Sequence, residues 1–172
     1  MKKNWESAFK MTLGHEGGYV NHKLDPGGMT NLGVTKRAWE SYVSREVTEA
    51  EMRALTPAIV KPFYKKMYWD KIRGDDLPSG VDFAAYDYAV NSGVNKASKT
   101  LQEIAGAVPD GIIGPKSLVA INLVPPDEMV DAICMMRLEF LKRLPRWDVF
   151  GKGWSTRVAG VETQASEMAK TA

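Results

Sequence analysis

Gly14-His15-Glu16-Gly17-Gly18-Tyr19, followed shortly by Asp25-Pro26-Gly27-Gly28-Met29-Thr30-Asn31-Leu32-Gly33-Val34-Thr35, is the stretch on which the reading of this chain turns. Upstream of it, Trp5, Ala8, Phe9, Thr12 and Leu13 recur at intervals of three and four, the apolar stripe of an amphipathic helix, and Glu16 continues that stripe. Gly17-Gly18 stops the helix. The segment that follows is dense in glycine and in Asp-Pro-Gly-Gly turn chemistry, which predicts a short hairpin or irregular excursion near residues 19–34.

Outward from this excursion the periodicity is helical. Thr35 is placed to cap a helix carrying Ala38, Trp39, Tyr42 and Val43 on one face. Thr48 and Glu51 have capping-box spacing, and Thr56-Pro57 reads as a cap followed by proline at the first helical position. The aromatic-rich segment 59–72 is expected to kink at Pro62, and residues 80–93 form a further helix. A short helix over 97–105 leads to the turn Asp110-Gly111-Ile112-Ile113-Gly114-Pro115. The longest periodic segment spans 127–144, and a last helix is expected to begin near Trp154. Two-residue alternation is weak throughout and no repeat is found, so the fold class is mainly α: a helical bundle with one small β-hairpin, which the resemblance described below implies is lysozyme-like.

A chain of 172 residues, 44% hydrophobic and 26% charged, has the make-up of a folded domain or of two small lobes. The formal charge of +2 and the absence of a long basic run remove the simplest case for nucleic-acid binding. Cys134 lies in an apolar run and reads as a small buried hydrophobe; with two histidines in the chain, no metal site and no cofactor are expected. The first residues lack the apolar core of a signal peptide, and no stretch approaches a membrane span. The expectation is a monomer made in the cytoplasm, without stable membrane association.

The carboxylates carry the chemistry. A glutamate at the carboxyl end of a helix, on the face turned to the core, is disfavoured as an anion by the helix dipole and by desolvation, and so suits a general acid. An aspartate in a polar glycine-rich turn keeps its charge, and two carboxyls in such contrasting settings are what acid and base roles require. Each residue also has a plainer reading: Glu16 as a helix-end side chain, Asp25 as a turn former, Thr35 as a cap. Tyr19, next to the acid, is a candidate for a substrate cleft. Trp69, Tyr86 and Tyr88 offer faces to sugar rings, although their helical spacing equally suits a core. Asn91 either caps a helix end or hydrogen-bonds an acetamido group, and His15 points off the helix face that carries Glu16.

Taken together, Glu16-Gly17-Gly18-Tyr19-Val20-Asn21, Asp25-Pro26-Gly27-Gly28, Thr30, Gly33 and Thr35, with the later blocks Tyr68-Trp69 and Asp87-Tyr88-Ala89-Val90-Asn91-Ser92-Gly93, resemble the glycoside hydrolase 108 family of peptidoglycan-degrading enzymes, which are similar to phage-type lysozymes. The second half resembles the companion peptidoglycan-binding region through Asp110-Gly111-Ile112-Ile113-Gly114-Pro115 and Phe150-Gly151-Lys152-Gly153-Trp154-Ser155-Thr156-Arg157. The resemblance implies a catalytic region over 1–93 and a binding region over 94–172, packed as one unit. It implies an endolysin-like muramidase acting on the β-1,4 bond between N-acetylmuramic acid and N-acetylglucosamine. Glu16 would be its acid, Asp25 would activate water, and Thr30, or Thr35 in its place, would be the third catalytic residue. The related pattern has its threonine one position later, where Asn31 stands here. Tyr19, Asn91 and Tyr86 would contact the glycan strand. Direct water attack would be inverting and would set the two carboxyls about 6.5–9.5 Å apart. A wall-binding module without catalysis, and a lytic transglycosylase using Glu16 alone, are the alternatives. Release through a holin-type lesion, or a dedicated export route, would carry such an enzyme to the wall.

Overall fold

The structure, a computed structural model, describes residues 4–21 and 28–171. Its elements run α1 (Trp5–Leu13), β1 (Thr30–Asn31), β2 (Val34–Thr35), α2 (Lys36–Val43), α3 (Glu49–Arg53), α4 (Pro57–Tyr64), α5 (Val81–Ser92), α6 (Val94–Ile104), α7 (Pro115–Leu123), α8 (Pro126–Lys142) and α9 (Trp147–Lys170). The fold is mainly α and lysozyme-like, and its small sheet falls within the predicted excursion. Among the described residues no helix is long and apolar enough to cross a membrane. Two compact units can be distinguished: Phe9–Met67, and the remainder of the chain. The border expected at residue 93 falls inside the second unit, between α5 and α6, which pack on each other.

The first unit is organised by caps and aromatic rings. Thr35 accepts the Ala38 N–H at the start of α2, Thr48 and Glu51 form a reciprocal capping box on α3, and Thr56 accepts the Ile59 N–H ahead of Pro57. Each satisfies amides that a helix start leaves without partners. Phe63 stands edge-on to both Tyr42 and Tyr64, with ring centroids 5.4 and 5.5 Å away, and Phe9 reaches Tyr64 at 5.7 Å. Pro62 does not break its helix; α4 runs on from Tyr64 into a π-helical turn, Lys65–Trp69.

In the second unit α5 is buried on every side from Val81 to Ala89, which explains why its sequence shows so little amphipathic character. Trp5, Trp69 and Tyr86 form a triangle of rings with centroids 5.4–5.6 Å apart. Buried Asp87 accepts from Arg137 of α8 at 2.8 Å and from Arg157 of α9 at 2.9 Å. Buried Gln102 of α6 turns its NH₂ group to Asp110 (2.8 Å), the Ile112 carbonyl (3.1 Å) and Ser117 (3.0 Å), two hydrogens shared among three acceptors, and its oxygen accepts the Gly111 N–H (2.8 Å), so one amide ties the turn at 110–112 to α7.

Two helical expectations change. α7 goes unanticipated because Val119 and Leu123 face solvent, 64% and 79% exposed, and blur any apolar stripe. α9 starts at Trp147 rather than near Trp154; Gly151 interrupts the pattern, yet a Cβ there would meet the Trp147 indole at 2.7 Å, so the glycine admits the ring instead of ending the helix. Cys134 is buried, and desolvation pushes its thiol up to about 12, as suits a core side chain.

Burial alone would raise the Asp87 carboxyl, but hydrogen bonds and charge from Arg157 and Arg137 overcome it and hold the group below the usual carboxylate range. Asp87→Asn should therefore cost about 3–5 kcal/mol at pH 7, because Arg137 stays buried without its counter-charge. A carboxyl depressed on folding stabilises fully above about pH 4, and its contribution disappears as pH falls through the depressed value. Urea unfolding at pH 7 and pH 3 should show the gap between wild type and variant narrowing at the lower pH.

Candidate functional site

Glu16 follows α1 rather than extending it. The helix closes at Leu13, and the next turn is held by the His15 N–H on the Thr12 carbonyl (3.1 Å) and the Glu16 N–H on the Leu13 carbonyl (3.0 Å). The placement of Glu16 on the helical stripe is thus corrected: it stands in the turn beyond, half-buried, with His15 exposed beside it.

What receives the Glu16 side chain is the hairpin. Thr30 pairs with Thr35 and Asn31 with Val34, leaving Leu32-Gly33 as a two-residue turn. Both residues have positive φ, +50° and +75°, as a type I′ turn demands. The turn is poor in sequence terms at Leu32, a branched side chain in the left-handed region, and required in space at Gly33. A Cβ on Gly33 would lie 2.6 Å from Glu16 Oε2 and 2.6 Å from the Tyr64 hydroxyl. The carboxylate and the phenol are therefore neighbours across the glycine. Tyr64, 2% exposed, donates its hydrogen to the Leu32 carbonyl at 2.8 Å and so fastens the turn to α4.

The remaining expected residues separate into distinct settings. Thr30 exchanges both backbone hydrogen bonds with Val20, each 2.8 Å, which fixes it on the strand that follows the Glu16 turn. The Thr35 hydroxyl is committed to capping α2 at 3.2 Å. Asn31, in the position where the related pattern has threonine, is 5% exposed and donates to the Met52 carbonyl at 2.8 Å, closing the end of α3. Tyr19 donates to Glu49 at 2.9 Å under the Arg53 guanidinium, 3.9 Å from its ring centroid. Desolvation and the Glu49 carboxylate raise its phenol. Asp25 lies outside the described residues. Asn91 is exposed and accepts from the Ser92 hydroxyl at 3.0 Å.

Tyr86 requires correction. It is 0% exposed, closed in by Trp5 and Trp69, and cannot touch a glycan; the core reading of its helical spacing prevails. Trp69, also fully buried, turns its indole N–H to Asp75 at 3.0 Å. Conversely, Tyr64 carried no signal in the sequence beyond membership of an aromatic run, and Gly33 only that of a turn former. No cluster of three metal-binding side chains occurs among the described residues.

Residues 9–93 match the family described as glycosyl hydrolase 108, and residues 96–159 match a predicted peptidoglycan domain. The structure of Brucella abortus SagA is 40% identical in sequence and superposes with a TM-score of 0.89 over 98% of this chain and 97% of that one. Curated proteins returned no match. The chain belongs to the glycosyl hydrolase 108 family and is a peptidoglycan hydrolase.

Gly33→Ala tests the seat of the carboxyl. The new methyl must displace both Glu16 and Tyr64 and strains a left-handed backbone by about 1–2 kcal/mol. The thermal midpoint should drop by a few degrees, and a fall in peptidoglycan clearing beyond what that loss of stability accounts for ties the Glu16 seat to the reaction.

Proposed function

We propose that this chain is an N-acetylmuramidase of the endolysin type, cleaving the β-1,4 bond between N-acetylmuramic acid and N-acetylglucosamine with Glu16 as the general acid. The observation that carries this reading is the seat of the Glu16 carboxyl against Gly33 and the Tyr64 hydroxyl. With its one hydrogen given to Leu32, Tyr64 offers only lone pairs to its other neighbours. Asp25, in the polar glycine-rich turn, activates the attacking water, and Thr30, held in register by Val20, orients that water. Thr35 is the weaker candidate because its hydroxyl already caps a helix. Tyr19 flanks the strand on the Glu49–Arg53 side.

Glu16→Gln should lower the clearing of exposed peptidoglycan by about 10²–10⁴-fold, the share of a general acid, and Asp25→Asn should do likewise. Full activity in Glu16→Gln overturns the assignment; loss there with activity kept in Asp25→Asn favours a transglycosylase. Mass spectrometry of borohydride-reduced fragments identifies the bond: reduced muramic acid ends support the muramidase, whereas reduced glucosamine or anhydro-muramic ends refute it.

A further inference from the structure

In the unit that carries the peptidoglycan domain match, the end of α5 meets α8 and α9 around a cavity of about 160 Å³. Its lining combines two polar side chains, Asn91 and Ser92, with the apolar Phe140, Leu141 and Leu144 and the Trp154 indole. The Asn91 amide is oriented, because its oxygen accepts the Ser92 hydroxyl at 3.0 Å, and its NH₂ group is left to donate. Trp154 extends into an aromatic surface: Phe150, 44% exposed, stacks on it with centroids 5.8 Å apart and planes 28° from parallel.

We propose that this cavity is a binding subsite for one acetamido group of an N-acetylated glycan strand, with the sugar ring lying on the Trp154–Phe150 surface. An acetamido group presents a carbonyl oxygen next to a methyl. Here an oriented amide donor stands next to an apolar recess small enough for one such group rather than a chain. Flat aromatic faces beside it suit the apolar face of a pyranose. A larger cavity in the same unit, about 320 Å³, is lined by charged side chains of both signs, Lys96, Glu103, Glu139 and Arg143, and suits a neutral acetamido group less well. The inference rests on the proposed function only for the kind of strand bound; the subsite itself needs no catalysis.

The test uses the full chain as Glu16→Gln, so that the probe survives, and follows amide and indole signals by NMR during titration with triacetylchitotriose. The expected result is that the Asn91 side-chain amide and the Trp154 indole shift, that cellotriose, which shares the linkage but lacks acetamido groups, leaves them in place, and that Asn91→Leu weakens the response about fivefold, the worth of one hydrogen bond. Signals that stay still with triacetylchitotriose, or that respond equally to cellotriose, overturn the subsite. The backbone amide signals of position 16 and Gly33 in the same spectra report separately on the catalytic reading: silence there with movement at Asn91 and Trp154 defeats that reading and leaves this one standing.

Discussion

Asp87 holds the helical unit together. α5 is apolar on nearly every face, and apolar contact alone tells a helix little about which neighbour belongs at which height. One carboxylate, reached by Arg137 from α8 and by Arg157 from α9, supplies that specificity. Both guanidiniums come from distant parts of the chain, fifty and seventy residues away, so the ion cluster fastens three long elements at one point. Removing one partner leaves the others charged in a dry interior, which is why such clusters resist piecemeal change. The cavity bounded by Asn91, Leu141 and Trp154 draws its walls from these same three helices.

A comparable economy governs the smaller unit. Its hairpin contains two paired residues per strand, too few to be stable alone. It persists because each residue is anchored elsewhere: Thr30 to Val20, Asn31 to the end of α3, Leu32 to Tyr64, Thr35 to α2. The Glu16 carboxyl is thus presented to a surface fixed from several directions, which makes a short sheet a rigid support for it.

Much of this was legible from the chain itself. Caps at Thr35, Thr48 and Thr56 were readable because capping is local, a side chain meeting an amide three residues on. The hairpin was readable from its glycines. What escaped the sequence was set at long range or concealed by context. Tyr64 reaches Leu32 across thirty-two positions, and no spacing rule announces such a bond. Tyr86 looked like a sugar contact or a core ring, and only the placement of Trp5 and Trp69 around it decides the matter. The start of α9 at Trp147 was hidden because Gly151 breaks its apolar pattern, and the ring that glycine accommodates belongs to the preceding turn. Gln102 gave no hint that it organises a loop eight to ten residues further on.

The two-residue turn at Leu32-Gly33 also sets a length. Side chains in a strand alternate in facing, so a single residue gained or lost between Thr30 and Thr35 would exchange inside for outside along the rest of β2. The Asn31 amide, the Gly33 seat and the Thr35 cap would lose their alignment together. The hairpin therefore behaves as a gauge block: its residue count fixes which side chains meet α2, α3 and α4.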